Sequence, residues 1–279
     1  FTAILGKLLT TPAVETVFFR TLLAFIGLLI YMAIKKKKFD VDNKGALEIL
    51  LVGVSVSAHW ILFFAAAKVA NVSIALAGMS TATLWTAILE PIMLKRKPKP
   101  LDFFFGFLII IGLYVIFKFE FNHALGLTMA IFSAGLSAFF SIRNYKLIRR
   151  YNHITITVLE MLGACIITAL FFPFYKIYFA EGNVLQLTPT SQDWIWLLIL
   201  SQVCTVYAFT HSTEIMKRLE AFTVNLTINL EPIYGIILAY FIFGDSEKMS
   251  SGFYLGGLII LLSVFSYPIL EKKLRRFNN

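Results

Sequence analysis

The sequence has little charge, few polar stretches and almost no cysteine, and each scarcity argues against a class of protein. Charged residues make up 15% of the 279, whereas soluble domains carry about 25%. The longest polar connectors, 35–45, 143–153 and 180–192, leave no room for a soluble domain. The 2 cysteines, Cys165 and Cys204, lie in apolar stretches, so neither a disulfide framework nor a metal site is indicated.

The motifs of enzymes and ATP-driven pumps are also absent. The sequence contains no G-x-S-x-G nucleophile elbow, no H-E-x-x-H motif, no glycine-rich phosphate loop and no Asp-rich metal pair. We therefore predict a protein that is not an enzyme and that needs no cofactor and no metal. A membrane-embedded enzyme or a sensor without a recognisable motif remains the alternative.

What the sequence does have is a succession of apolar stretches. Hydrophobic residues make up 58% of the chain and the mean hydropathy is +0.79. A bilayer core about 30 Å thick is crossed by about 20 helical residues. Nine stretches have about this length and predict an all-α membrane protein: 15–34, 46–68, 72–94, 101–118, 124–142, 154–179, 193–214, 221–243 and 251–270.

The basic residues indicate how the helices are oriented. The net charge of +9 could suggest nucleic acid, but the cations sit at helix ends rather than on one face. Alternate connectors hold 19 cations on one side and 5 on the other. Cytoplasmic loops are enriched in Lys and Arg, so we place the C-terminus in the cytoplasm and expect an integral protein of the bacterial inner membrane.

The order of features suggests two halves. Residues 1–9 form an apolar run too short to cross a bilayer, which we interpret as the outer end of a first helix that begins before Phe1. A signal-peptide remnant or a short external segment is the alternative. With this helix the count is ten, and an odd number of helices in each half requires the second half to be inverted. We predict repeats at 1–122 and 123–279, an arrangement typical of secondary transporters.

Three segments carry a resemblance to a known family. These are FFRTLLAF (18–25), AAAKVANVSIALAGMSTATLWTAILEP (65–91) and EAFTVNLTINLEPIYGIILAYFIFGD (220–245), the last followed by GFYLGGLIILLSV. On the basis of these segments, the chain resembles the EamA-type transporters of the drug/metabolite transporter superfamily. The resemblance covers essentially the whole chain. Two departures are Asp245, where Glu is commoner, and Lys95 at the matching place in the first half.

The resemblance implies a ten-helix carrier of the inner membrane that exports amino acids, other metabolites or drugs. It also implies a central cavity formed by the first four helices of each half, with the fifth helix of each half at the periphery. It says little about the substrate, because one fold serves many functions.

Polar residues inside the apolar stretches are the candidate site residues, since ionisable groups at membrane depth tend to face a cavity or a partner. Glu231 lies halfway along 221–243 beside Pro232, which frees the Ile228 carbonyl and can kink the helix. Asn225 and Asn229 are one turn apart and share a face. This group could bind a ligand ammonium or carry a proton, and structural pairing of Glu231 is the alternative.

Further cavity candidates lie at comparable depth: His59, Trp60, Ser80, Thr83, Trp85 and Tyr207. The His59 imidazole titrates near neutrality, and the Tyr207 ring could stack on a substrate or close a gate. Helix packing explains each of these residues as well.

Arg20 and Glu160 are candidates for gating or coupling, together with Glu231 and Pro232. Arg20 is near the outer end of its helix and Glu160 near the inner end of its own, so we do not expect them to pair. For Arg20 we favour snorkelling to lipid phosphates over attraction of anionic substrates. Glu90 lies beside Lys95 and Arg96, where we expect an ordinary solvated carboxylate.

These observations predict a secondary transporter that works by alternating access as an exporter or exchanger. Aromatic and hydroxyl groups at mid-depth suit a partly apolar zwitterion, so an amino acid or a related amphiphilic solute is the first choice, with a drug as another. The partners are this solute and the lipid bilayer, without nucleic acid. Proton coupling is left open, and we expect a monomer or a weak dimer.

Overall fold

The computed structural model describes residues 1–97, 100–228 and 230–277, which form helices and connecting loops without a β-strand. Apolar segments in lipid satisfy their backbone groups internally as helices. The helices are α1 (Thr2–Leu8), α2 (Ala13–Ile34), α3 (Asn43–Val69), α4 (Val72–Met79), α5 (Ala82–Leu94), α6 (Pro100–Phe119), α7 (Ala124–Leu147), α8 (His153–Tyr178), α9 (Ser191–Leu198), a π-helix (Ile199–Tyr207), α10 (Ala208–Ile215), α11 (Ala221–Ile228), α12 (Glu231–Phe243) and α13 (Ser251–Phe277). Short 3₁₀ turns cover Phe121–His123, Glu181–Asn183 and Gly244–Glu247.

Eight segments of the described chain are long and apolar enough to cross a membrane, and each coincides with a predicted stretch to within a few residues. They are Ala13–Ile34, Asn43–Val69, Val72–Leu94, Pro100–Phe119, Phe121–Leu147, His153–Tyr178, Ser191–Ile215 and Ala221–Glu247. The ninth predicted stretch falls in α13, whose apolar part Ser251–Tyr267 is shorter. The total of ten helices remains a prediction.

The chain divides into two compact units, and neither unit coincides with a predicted repeat. Unit 1 comprises Phe1–Ala65 and Arg143–Glu220, and unit 2 comprises Ala66–Ile142 and Ala221–Asn279. Each unit therefore draws helices from both halves of the sequence. The boundary near residue 122 is defined by sequence order rather than by contacts, so it stays an expectation.

Unit 1 is built around α2, which packs against α8 and against the π-helix. The backbones of α3 and α8 also meet closely. A Cβ atom at Gly163 would lie 2.2 Å from the Leu50 carbonyl oxygen, and one at Gly53 would lie 2.4 Å from the Glu160 carbonyl oxygen. Only glycine permits this approach, as is common where membrane helices cross.

Unit 2 contains two extensive helix pairings. One joins α6 to α13, where a Cβ atom at Gly256 would lie 2.5 Å from the Gly112 carbonyl oxygen. The other joins α4 to α12 and α5 to α11. Ile74, Ile109, Ile116, Phe253 and Ile260 form the buried apolar core between them.

Candidate functional site

Two membrane-spanning segments of unit 2 are broken near their middle at corresponding positions. The first consists of α4 with 8 residues and α5 with 13. The second consists of α11 with 8 residues and α12 with 13. The bounds of the second pair all lie 149 residues after those of the first. Discontinuous helices of this kind form the substrate and ion sites of many secondary transporters.

Hydroxyl side chains produce the first break. The Ser80 hydroxyl donates to the Ala77 carbonyl at 2.5 Å, and the Thr81 hydroxyl donates to the Gly78 carbonyl at 2.8 Å. Ser and Thr side chains compete in this way with the backbone donors of a continuous helix. The result is that α4 ends at Met79 and α5 begins at Ala82 without a side-chain cap at Thr81.

The second break lies just before Pro232, where the sequence predicts a kink. Leu230 lies in a turn, and Pro232 occupies the first turn of the helix that follows, α12. The interruption therefore precedes the proline, and the kink itself stays a prediction. Proline is well tolerated in a first turn, since the first amides of a helix have no intrahelical acceptor. Asn229 lies outside the described residues.

A chain of hydrogen bonds runs beside these breaks. The Ser141 hydroxyl of α7 donates to Asn225 Oδ1 at 3.2 Å, and Asn225 Nδ2 donates to the Thr86 hydroxyl at 2.8 Å. Thr86 in turn donates to the Ala82 carbonyl at 2.7 Å. All four residues are buried, so this chain fixes α11, α5 and α7 around the first turn of α5.

Trp85 and Glu231 border the breaks and are only partly buried. The ring of Trp85 packs at Gly135 of α7, and its indole N–H has no hydrogen-bond partner among the described residues. Glu231 opens α12 and is half-buried rather than enclosed, with Tyr234 one turn further along. Ser80 and Thr83 are buried in the same region.

Two glutamates tie these broken segments together reciprocally. Glu247, which is fully buried, accepts hydrogen bonds from the amides of Val72 at 3.0 Å and Ser73 at 2.9 Å at the start of α4. Glu90, near the end of α5, accepts one from the Phe222 amide at 3.2 Å at the start of α11. Each segment thus ends in a carboxylate that caps the beginning of the other, where the helix dipole favours negative charge.

Unit 1 encloses a buried arginine. The Arg20 side chain of α2 is 2% exposed, and its guanidinium carbon lies 3.7 Å from the centre of the Trp60 ring on α3. Its Nε donates to the Thr205 hydroxyl of the π-helix at 2.8 Å. The expectation that Arg20 snorkels to lipid phosphates is therefore wrong, since stacking on an aromatic face holds it within the protein.

The π-helix presents polar groups to α2. Besides Thr205, Gln202 donates through Nε2 to the Leu23 carbonyl at 3.0 Å, and Gly27 leaves space for the Gln202 side chain. π-helical turns are rare and occur frequently at functional sites. Tyr207, at the end of the π-helix, is 64% exposed, and its carbonyl contacts the His211 ring at 2.8 Å.

Two further candidates of unit 1, His59 and Glu160, are buried. His59 is buried and stacks on Phe63, with 6.2 Å between ring centres. Glu160 is fully buried in α8 beside Asn144.

Charged residues connect the Lys- and Arg-rich ends of unit 1. Arg143 donates to Glu48 of α3 at 2.6 Å, and Arg150 lies 3.6 Å from the same carboxylate. In the adjoining loop, the Tyr151 hydroxyl donates to Asp42 at 2.5 Å. This hydrogen bond holds the pKa of the Asp42 carboxyl below its ordinary value and raises the pKa of Tyr151.

Sequence reasoning missed several of these residues. Glu90 was expected to be solvated, but it is 7% exposed and contacts Phe222. Nothing in the sequence pointed to Glu247, Ser141 or Thr205, because their hydrogen-bond partners are 84 to 185 residues away in the sequence. In the described part of the chain, no cluster of His, Cys, Asp or Glu could hold a metal ion.

Eight apolar spans, two of them broken beside polar side chains, define an integral membrane protein with the construction of a transporter. The chain belongs to the EamA-like transporter family, whose model matches residues 1–118 and 124–267 in two repeats. It is therefore a membrane transporter of the drug/metabolite type, as the resemblance indicated.

Comparison with other proteins adds the fold. A solved structure described as a crystal structure of a protein has a TM-score of 0.68 to this chain. The likeness covers 96% of this chain and 93% of the other at 14% sequence identity, so it concerns the fold alone. The search of curated proteins found no match.

Proposed function

We propose that the protein moves a small amphiphilic metabolite across the membrane by alternating access, as an exporter or exchanger, and that an amino acid is the first candidate. The observation that supports this best is the pair of broken helices in unit 2, with their matching lengths of 8 and 13 residues. Interrupted helices leave backbone groups available to a solute at mid-depth. The proposal includes ten helices in two inverted repeats and a cytoplasmic C-terminus in a bacterial inner membrane.

The carboxylate of the solute is assigned to the beginning of α5. This helix end has no side-chain cap, and the N-terminus of a helix favours an anion. The indole N–H of Trp85, which has no hydrogen-bond partner among the described residues, lies in the first turn of the same helix and supplies a further donor. A free carboxylate would satisfy this donor.

The ammonium group of the solute is assigned to Glu231. Its half-buried carboxylate at the start of α12 is accessible, unlike the fully buried Glu160. A carboxylate at membrane depth attracts a cation strongly, because the surroundings screen charge poorly. Asn225 and Thr86 then hold the neighbouring helices in place, and Arg20 with Trp60 in unit 1 is a candidate gate.

Uptake of radiolabelled solutes into proteoliposomes tests these assignments. Trp85→Phe keeps an aromatic ring but removes the donor, so we expect KM for amino acids to rise by about tenfold, the effect of a lost hydrogen bond to a charged group. For an amine that lacks the carboxylate, KM should change little. Glu231→Gln should raise KM for amines and for amino acids alike.

Matched controls are Trp196→Phe, which removes another buried indole N–H that has no partner in the described part of the chain, and Glu181→Gln in an exposed loop. Both should transport like the wild type. If Trp85→Phe raises KM equally for solutes with and without a carboxylate, the assignment of the carboxylate is wrong. A screen for resistance to toxic amino-acid analogues identifies the substrate class independently.

A further inference from the structure

A fully buried carboxyl group belongs to unit 1, whereas the residues assigned to the solute belong to unit 2. Glu160 of α8 is 0% exposed, and neither of its oxygens has a direct hydrogen bond of good geometry among the described residues. The polar side chain that interacts with it is Asn144, which is 1% exposed and whose Oδ1 is likewise without a partner. Among the described residues, none of these three buried oxygens accepts a hydrogen bond of good geometry, although the Asn144 side chain lies beside the carboxyl group.

The backbone that carries this carboxyl group packs tightly against α3. The backbones of α3 and α8 are in contact at Glu160 and one turn further along, through Gly53 against the Glu160 carbonyl and Gly163 against the Leu50 carbonyl. Next to Asn144 along the chain, Arg143 is bonded to Glu48 of α3. The ion pair joins α3 to α7, and the glycine contacts join α3 to α8.

Charges on the neighbouring elements do not compensate an ionised Glu160. The ionisable residues of these elements are Glu15, Arg20 and Tyr31 on α2, Lys44, Glu48, His59 and Lys68 on α3, Arg143, Tyr145 and Lys146 on α7, His153, Cys165, Tyr175, Lys176 and Tyr178 on α8, His211 and Glu214 on α10, and Glu181 in the 3₁₀ turn that contacts α8. Among the described residues, none of them adds a charge interaction with Glu160. Glu48 is engaged by Arg143 and Arg150, and His153 lies 3.6 Å from Glu214.

An uncompensated carboxylate in such surroundings is strongly unfavourable, and the group is neutralised instead. A proton supplies the missing donor, because the acid O–H can donate to Asn144 Oδ1 while the Asn144 amide donates to the second oxygen. The amide and the acid are complementary, so the pair holds one proton and no net charge.

We propose that Glu160 is a proton-binding site that couples transport to proton movement, with Asn144 as its hydrogen-bond partner. The proton is held while α3 and α8 are in contact and is released to water when they separate. The proposal rests on the transport function and adds its driving ion. It assigns coupling to Glu160 and leaves Glu231 to the solute.

The first experiment detects the proton directly and requires no substrate. Infrared spectroscopy of the purified wild-type protein at neutral pH should show the carbonyl stretch of a buried protonated carboxylic acid. Glu160→Gln should remove this band, whereas Glu181→Gln should keep it. Asn144→Leu should shift it, because the acid loses its acceptor. A wild-type protein without such a band, or a band that persists in Glu160→Gln, overturns the proposal even if transport is normal.

The second experiment measures coupling in proteoliposomes. In the wild type, an imposed proton gradient should drive solute accumulation. Glu160→Gln should lower the ratio of gradient-driven uptake to counterflow exchange at least tenfold, and Glu160→Asp, which still titrates, should restore part of it. Accumulation driven by a sodium gradient and abolished in Glu160→Gln overturns the assignment of the proton. If no solute is moved by any variant, the transport function fails, and the infrared result still decides whether Glu160 holds a proton.

Discussion

A buried guanidinium needs hydrogen-bond acceptors and a polarisable surface, and Arg20 shows how a membrane protein can provide both. Its Nε reaches the Thr205 hydroxyl, and its plane lies over Trp60. Lysine lacks the planar group and offers a compact charge that is more strongly hydrated. The sequence identified Arg20 and Trp60 as candidates, but it could not show that they are in contact, because Thr205 and Trp60 reach Arg20 from two separate helices.

We predict that Arg20→Lys lowers the free energy of unfolding by about 1–3 kcal/mol, from the lost cation–π contact and hydrogen bond. Thermal unfolding of the purified protein in detergent measures this as a lower melting temperature. Arg218→Lys, at an exposed position, is the control and should melt like the wild type. Equal melting temperatures for both variants would show that Arg20 adds little beyond its charge.

At the level of helices, hydrophobicity predicts where the spans lie but not how they are interrupted. The stretch 72–94 matches the span Val72–Leu94 at both ends, because length and apolar composition suffice to define it. The break after Met79 depends on which carbonyls the Ser80 and Thr81 hydroxyls bond. Hydropathy contains no such information, and the π-helix from Ile199 to Tyr207 was missed for the same reason.

The close contact between helices α3 and α8 leads to a testable prediction about stability. Gly163→Ala would place a methyl group against the Leu50 carbonyl, so the helices must move apart, and overpacking of this kind costs about 1–3 kcal/mol. Gly257→Ala in α13 is the matched control, since a Cβ atom there meets nothing within 4 Å. We expect Gly163→Ala to lower the melting temperature and Gly257→Ala to leave it unchanged or raise it slightly. A normal melting temperature for Gly163→Ala would mean that the crossing is looser than the structure indicates.

For the whole molecule, the two halves of the sequence and the two compact units divide the chain at different places. The order of hydropathic features divides the chain near residue 122, whereas contacts group 1–65 with 143–220 and 66–142 with 221–279. Similarity along a sequence cannot reveal this grouping, because the grouping depends on which helices pack together. The two broken helices lie in one compact unit but come from different halves of the sequence, and they are related by a common offset of 149 residues.

The orientation in the membrane is a prediction for the whole chain. A variant with Cys165→Ala and Cys204→Ala provides a background without thiols, to which Asp40→Cys or Thr188→Cys is added. In right-side-out vesicles, an impermeant maleimide should label Thr188→Cys at once and Asp40→Cys only after permeabilisation, because the Lys-rich connector is expected inside. The opposite pattern would reverse the topology, and simultaneous labelling of both would indicate mixed insertion.

The reciprocal glutamate caps have a consequence for biosynthesis. When the Phe222 amide emerges from the ribosome, its acceptor Glu90 has already been made, 132 residues earlier. The Val72 amide has to wait for Glu247, which follows 175 residues later. At roughly 5–20 residues per second, this delay is on the order of ten to thirty seconds. During that time, water or the insertion machinery has to accept the hydrogen bonds of the amides at the start of α4. The Glu247 carboxylate takes over this role once its segment has been translated.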